Sequence, residues 1–178
     1  MPVDSAASVP VVVMGVCGVG KSTVGRALAE HCGRTFLEGD DFHPEGNVRK
    51  MAAGRPLDEA DRALWLRRIA EAIARERLAG RAPVVACSAL SRASRRVLGA
   101  ANPGLVFVHL TTDRAVIEAR LRARSGHFMP ASLLDSQLQA LEQPDEAIAV
   151  DACEPVAMVV ERIARALAHA TRNACSSE

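Results

Sequence analysis

Residues 15–22, GVCGVGKS, are the stretch that decides the fold. They fit the pattern Gly-x4-Gly-Lys-Ser/Thr, in which glycines let the backbone curl so that successive N–H groups point at phosphate oxygens. An apolar run, VVVM, lies directly before the loop, and a helical pattern follows it. The N-terminus of that helix would add its dipole to the site. A simple glycine turn would need neither the strand before it nor the helix after it, so the sequence predicts a phosphate-binding loop.

The polar residues of this loop suit a nucleoside triphosphate. Lys21 would reach the β- and γ-phosphates, and the Ser22 hydroxyl would ligate Mg²⁺. Lys21 is one of only two lysines among the 22 Lys and Arg residues, which fits a position that requires a compact, flexible charge. We therefore predict ATP and Mg²⁺ as cofactors, with nucleotide contacts from Gly15, Gly18, Gly20, Lys21, Ser22 and Thr23.

The composition argues against several other functions. The 178 residues suit about one domain, and the net charge of +1 with 3% aromatic residues offers neither a basic surface nor a stacking platform for nucleic acid. No apolar run approaches the ~20 residues of a membrane span. The N-terminus lacks a signal-peptide pattern, so we expect no membrane partner and a cytoplasmic location. The five cysteines are scattered, which is typical of reduced thiols.

Short apolar runs alternate with longer helical patterns along the chain, which predicts an α/β fold. Strands are predicted at residues 9–14, 34–38, 83–87, 105–110 and 148–150, and helices at 21–31, 44–52, 59–78, 112–124, 132–141 and 155–168. The pattern predicts a parallel sheet covered on both faces in a single domain over 1–178, with 171–178 as a frayed tail. The glycine loop, EGDD and CSAL each follow a strand and should meet at the carboxyl edge of the sheet.

The remaining motifs favour a small-molecule kinase. A GTPase would need the guanine-reading motif N-K-x-D, which the sequence lacks, and a motor ATPase would be larger. Transfer to an alcohol needs a carboxylate that accepts the hydroxyl proton, and a second acid can hold Mg²⁺ through water. Glu38 and Asp40, at the end of the second predicted strand, offer both, although acids in a loop are often only a solvated turn.

Basic and polar residues around these acids are candidates for the acceptor site. His43, Asn47, Arg49, Lys50 and Arg62 together could form a cationic wall for an anionic, polyhydroxylated acceptor, although each alone could be a surface residue. Ser88 lies at the tip of the third strand, where it could donate to substrate or simply cap a helix.

Arginines precede a Ser125-Gly126 break. Arg120 and Arg124 are one helical turn apart, and on a hinged segment they could close over ATP and neutralise charge in the transition state. An ordinary basic helix face is the alternative.

Five motifs together resemble the gluconokinases of the small P-loop kinases, which are relatives of shikimate kinase and the nucleoside monophosphate kinases. They are GVCGVGKSTVG, GDDFHPEGNVRKM, GRPLDEADRALWL, ACSAL and GHFMPASLLDSQLQALE. The resemblance implies a three-layer α/β/α P-loop NTPase fold with a five-stranded parallel sheet, a mobile lid at about 120–131, an acceptor-binding region at about 40–66 and a homodimer. It implies ATP-dependent phosphorylation of D-gluconate at the 6-hydroxyl.

The resemblance also implies roles for individual residues. Asp40 would face the acceptor hydroxyl and Glu38 would lie near the metal. The catalytic set would be Lys21, Asp40, Arg120 and Arg124, and the substrate-binding set would be Asp40, His43, Lys50, Arg62, Ser88 and His127.

Two segments depart from the family pattern. In PLDEADRALW, Leu64 stands where the family usually has a proline before the tryptophan. After CSAL the family usually continues Lys-x-x-Tyr-Arg-Asp, whereas residues 91–96 read SRASRR and keep only Arg95. Two alternatives therefore stay open: a kinase for another small sugar acid or hydroxy acid, and a nucleotide-binding protein without catalysis.

Overall fold

The computed structural model describes residues 9–123 and 131–175. Five strands occur in this part of the chain: β1 Val11–Met14, β2 Phe36–Glu38, β3 Val84–Ala86, β4 Val106–Thr111 and β5 Ile148–Asp151. The helices are α1 Lys21–His31, α2 Glu45–Ala52, α3 Glu59–Leu78, α4 Arg92–Ala101, α5 Arg114–Ala123, α6 Ala131–Ala140 and α7 Val156–Cys175, with a 3₁₀ turn at Gly39–Phe42.

The strands form one parallel sheet in the order β2-β3-β1-β4-β5. The central strand β1 is buried on both faces, as its unbroken apolar sequence requires. Val11 and Val13 pack with α1 and α7, while Val12 and Met14 pack with α3 and α4 on the other face. The predicted three-layer arrangement with five parallel strands is confirmed. No helix of the described residues is long and apolar enough to span a membrane.

Two elements differ from the sequence-based expectation. Helix α4 was not predicted, because two of its three buried residues are the polar Ser94 and Arg95, and only Leu98 is apolar. Helix α7 continues to Cys175, past its expected end at 168, and the frayed tail expected over 171–178 stays a prediction. That stretch contains neither glycine nor proline to end the helix.

The junction between β2 and the 3₁₀ turn is packed tightly against β3. A Cβ on Gly39 would lie 2.2 Å from the Ala86 carbonyl oxygen, so only glycine fits there. The Gly39 carbonyl in turn accepts a buried hydrogen bond of 2.7 Å from the Trp65 indole on α3. The turn that carries Asp40 and Asp41 is thereby fixed from both sides.

Substituting Gly39 with alanine should destabilise the protein by roughly 2 kcal/mol or more, because backbone would have to move to relieve the overlap. Gly46→Ala is the matched control, since a Cβ on Gly46 in α2 meets no atom within 4 Å. Alanine is the better helix former, so this variant should be more stable by up to about 1 kcal/mol. Urea denaturation measures both free energies of unfolding. Equal effects of the two substitutions would contradict the packing argument.

Candidate active site

The glycine loop between β1 and α1 has a backbone that only glycines adopt readily. Gly15, Gly18 and Gly20 all have positive φ, at 141°, 78° and 106°. A Cβ on Gly15 would also lie 2.8 Å from the Leu110 carbonyl oxygen. The loop therefore stands directly above the ends of β1 and β4 and leads into the N-terminus of α1, where an anion is stabilised by N–H groups and the helix dipole.

Lys21 lies folded over this loop, and its Nζ donates to the Val16 carbonyl at 3.0 Å. Burial lowers the pKa of Lys21, and the nearby charge of Asp40 is the largest of the effects that oppose this shift. Cys17, Cys87 and Glu38 oppose it as well. The predicted phosphate ligand and the two predicted acids thus form one electrostatic group at the carboxyl edge of the sheet.

The two acids differ in exposure. Glu38 ends β2 with its side chain 17% exposed, 3.7 Å from Arg26, whereas the Asp40 side chain is 82% exposed. Asp40 is therefore free to meet an incoming hydroxyl. Burial raises the pKa of the neighbouring Cys87 to about 12, so this thiol stays protonated and is no nucleophile.

Arg120 links the glycine loop to the segment that follows β5, the strand at one edge of the sheet. Its guanidinium donates to the Val19 carbonyl at 3.0 Å and to the Ala152 carbonyl at 2.7 Å. Beside it lies a cavity of about 330 Å³, which is large enough for part of a nucleotide. Its walls include three predicted nucleotide contacts, Gly18, Gly20 and Thr23, together with Val19, Arg120, Ala152, Glu154 and Val156.

Gln137 on α6 is a residue of the site that sequence reasoning missed. Its Oε1 accepts a 2.7 Å hydrogen bond from the Cys17 N–H in the glycine loop. Arg114 on α5 forms an ion pair with Asp135 on α6 at 2.8 Å. The helices on either side of residues 124–130 are thus tied to each other and to the loop. Arg124, His127 and most of the expected lid lie outside the described residues.

Lys50 and Arg62, expected to bind substrate, are engaged within the protein. Lys50 Nζ lies 2.6 and 2.5 Å from the two carboxylate oxygens of Asp61. This contact raises the pKa of Lys50 and lowers that of Asp61. Arg62 donates to the Leu57 carbonyl and pairs with Glu59 at 2.6 Å. Lys50 ties α2 to the start of α3, whereas Arg62 holds the first turn of α3 to the segment before it. The role of both cations toward substrate stays a prediction.

Ser88 and the altered segment lie just beyond β3. Ser88 is half-buried, and its carbonyl faces the Gly15 N–H at 3.4 Å. Ser91 caps α4 by accepting from the Ser94 N–H at 3.1 Å. Arg95 is only 3% exposed and donates to the Ala89 and Leu90 carbonyls and to Glu146. The one family residue kept in this segment therefore anchors the turn after β3.

The chain matches the family model described as an AAA domain over residues 11–144. It is 47% identical over 135 residues to the gluconokinase of Gluconobacter oxydans (strain 621H), covering 76% of each chain. The chain belongs to the gluconokinase family. A crystal structure of a gluconokinase from Sinorhizobium meliloti 1021 superposes with a TM-score of 0.85 at 45% identity, covering 96% of this chain and 98% of that one.

A more distant structure shows the fold alone. Shikimate kinase from Bacteroides thetaiotaomicron has a TM-score of 0.62 at 21% identity, covering 89% of this chain and 98% of that one. The gluconokinase-family chain thus has the shikimate-kinase-like P-loop fold expected from its sequence.

Replacing Arg120 with methionine should weaken ATP binding roughly tenfold or more, since the loop and the segment after β5 lose a shared charged donor. Isothermal titration with a non-hydrolysable ATP analogue measures the Kd. Arg122→Met is the control, because Arg122 is exposed on the same helix and should leave the Kd within about twofold. Unchanged affinity in Arg120→Met would show that this arginine does not organise the nucleotide site.

Proposed function

We propose that this protein transfers the γ-phosphoryl group of ATP to the 6-hydroxyl of D-gluconate, giving 6-phospho-D-gluconate and ADP. Membership of the gluconokinase family supports the acceptor. The observation that carries the chemistry is the placement of the glycine loop after β1 and of the exposed Asp40 after β2, both at the carboxyl ends of strands in one parallel sheet. It brings a phosphate ligand and a proton acceptor to one edge of the sheet.

The glycine loop and Asp40 would have separate roles in the transfer. The loop amides and Lys21 would hold the β- and γ-phosphates, with Gly15, Gly18, Gly20, Ser22 and Thr23 shaping the nucleotide site. Asp40 would accept the proton of the attacking hydroxyl while the oxygen forms its bond to the γ-phosphorus and the bond to ADP breaks. Positioning and fixed charges supply most of the rate in such transfers.

Mg²⁺ fits this site as a partner of the nucleotide. Among the described residues, no cluster of three or more His, Cys, Asp or Glu side chains is arranged to hold a metal. The donors present are the Ser22 hydroxyl at the start of α1 and the half-buried Glu38, which would act through water. Such a sparse set suits an ion that also takes phosphate oxygens, and the bound ion would neutralise phosphate charge.

The contacts to the acceptor are part of the same proposal. Asp40, His43, Lys50, Arg62, Ser88 and His127 are the candidates for binding gluconate, with Arg120 and Arg124 closing from the lid side. A homodimer, a cytoplasmic location, the single domain and the lid at 120–131 stay predictions. A kinase for another small sugar acid or hydroxy acid is the second candidate, favoured by the altered residues 91–96.

Asp40→Asn should lower kcat with gluconate by at least about 100-fold, because the amide cannot accept the hydroxyl proton. The Kd for ATP should stay unchanged, since the loop ligands remain. ADP release, measured against gluconate, other aldonates and shikimate, tests the acceptor at the same time.

Asp41→Asn is the matched control, because Asp41 is exposed on the same 3₁₀ turn and should retain turnover. If only a different acid supports turnover, that acid and not gluconate is the acceptor, and the proposed kinase chemistry still holds. Full activity of Asp40→Asn would remove Asp40 from the mechanism.

A further inference from the structure

His43 is held in an environment that is unusual for a residue expected to bind substrate. Its side chain is only 4% exposed and stacks on Trp65, with ring centroids 4.3 Å apart and planes inclined by 14°. Trp65 itself is fixed by its buried hydrogen bond to the Gly39 carbonyl. The stacking fixes the plane of the imidazole, and its two nitrogens face different groups.

Asn47 determines which nitrogen carries the proton. The Nδ2 group of Asn47 lies 2.8 Å from the Asp61 carbonyl oxygen, which can only accept, so this end of the amide is the NH₂. The same NH₂ lies 3.4 Å from His43 Nδ1. Asn47 is buried, so its amide is held in place. Because Nδ1 faces a donor, it accepts, and a neutral His43 carries its hydrogen on Nε2.

The other nitrogen faces the proposed catalytic carboxylate. His43 Nε2 lies 3.8 Å from Asp40 Oδ1, just beyond hydrogen-bond distance. A small rotation of the exposed Asp40 side chain would close this gap, and catalytic hydrogen bonds that are long in a free enzyme often tighten when substrate binds. Burial lowers the pKa of His43, and Asp40 opposes that shift, so the imidazole is neutral near pH 7.

We propose that His43 is a positioning residue for Asp40, and that the chain Asp61 carbonyl–Asn47–His43 fixes the Nε2–H tautomer that directs the carboxylate toward the acceptor hydroxyl. This inference rests on the proposed role of Asp40. It assigns His43 and Asn47, which the sequence places in a cationic wall, to a neutral relay behind the carboxylate. Their effect is on the turnover step and not on the charge of the acceptor pocket.

The tautomer is tested first, because the measurement requires no substrate. The whole chain is labelled with ¹⁵N-histidine, and long-range ¹H–¹⁵N correlation spectra are recorded at neutral pH. The chain has five histidines, and His43 is assigned as the signal that His43→Phe removes. A protonated Nε2 with an unprotonated Nδ1 is expected. The Nδ1–H tautomer, or an imidazolium, would overturn the proposal whatever the acceptor proves to be.

The kinetic test uses two variants that separate shape from hydrogen bonding. His43→Phe keeps a flat ring against Trp65 but has no N–H, while His43→Gln loses the ring and can place an amide N–H near the Nε2 position. We expect kcat to fall roughly tenfold or more in the phenylalanine variant, with KM for ATP unchanged, and to recover substantially in the glutamine variant.

A purely structural His43 would give the opposite order, with phenylalanine active and glutamine impaired, and that result would overturn the proposal. The assay uses whichever acceptor supports turnover of the unaltered protein. Failure with gluconate alone therefore counts against the proposed substrate, whereas the reversed order of variants counts against the relay. Should His43→Phe fail to fold, His43→Gln assigns the His43 signal instead, and the tautomer of the unaltered protein keeps the test, because an Nδ1–H form would still overturn the relay.

Discussion

A buried hydrogen bond from the Trp65 indole to the Gly39 carbonyl determines where the acidic side chains stand. Trp65 belongs to the core on one face of the sheet, where it packs in the same cluster as Val12 and Ile69. The strand register places the acids level with the glycine loop. Glu38 pairs with Ala86, and Ala86 pairs with Val13, two residues before the loop. Strands β2 and β1 are separated by β3, so acids and loop face each other across roughly 10 Å.

That separation gives the site its two halves. The nucleotide half is the curled backbone of the glycine loop. Arg120 stabilises this loop by donating to the Val19 and Ala152 carbonyls. The acceptor half is a small unit of helices cross-linked by Lys50 and Asp61 and by Asn47. Gln137 reaches the loop from α6, so a third element touches the nucleotide half. The transferred phosphoryl group would cross from the nucleotide half to the acceptor half.

The sequence predicted the parts of the molecule that depend on local pattern. Helix α3 begins and ends where expected because Asp58 and Asp61 form a capping box and Gly80 follows its end. Helix α4 was missed because its inward face is formed largely by Ser94 and Arg95, which carry no apolar periodicity. Lys50 was recognised as a charge, yet its partner Asp61 depends on how α2 meets α3. A pairing of that kind is tertiary and leaves no mark in the sequence spacing. The partners of Arg62 are local, and the i,i+3 spacing of Glu59 and Arg62 is itself a sign of their ion pair.

The stacking of Trp65 on His43 gives the protein a built-in optical label. The chain has one tryptophan and no tyrosine, so its near-ultraviolet absorption and its indole emission come almost entirely from this one ring. The ring lies beneath the acidic turn, while the glycine loop and the cavity beside Arg120 contain no indole. The intrinsic tryptophan fluorescence therefore reports on the acceptor half. It responds to the nucleotide half only through movement that reaches α3.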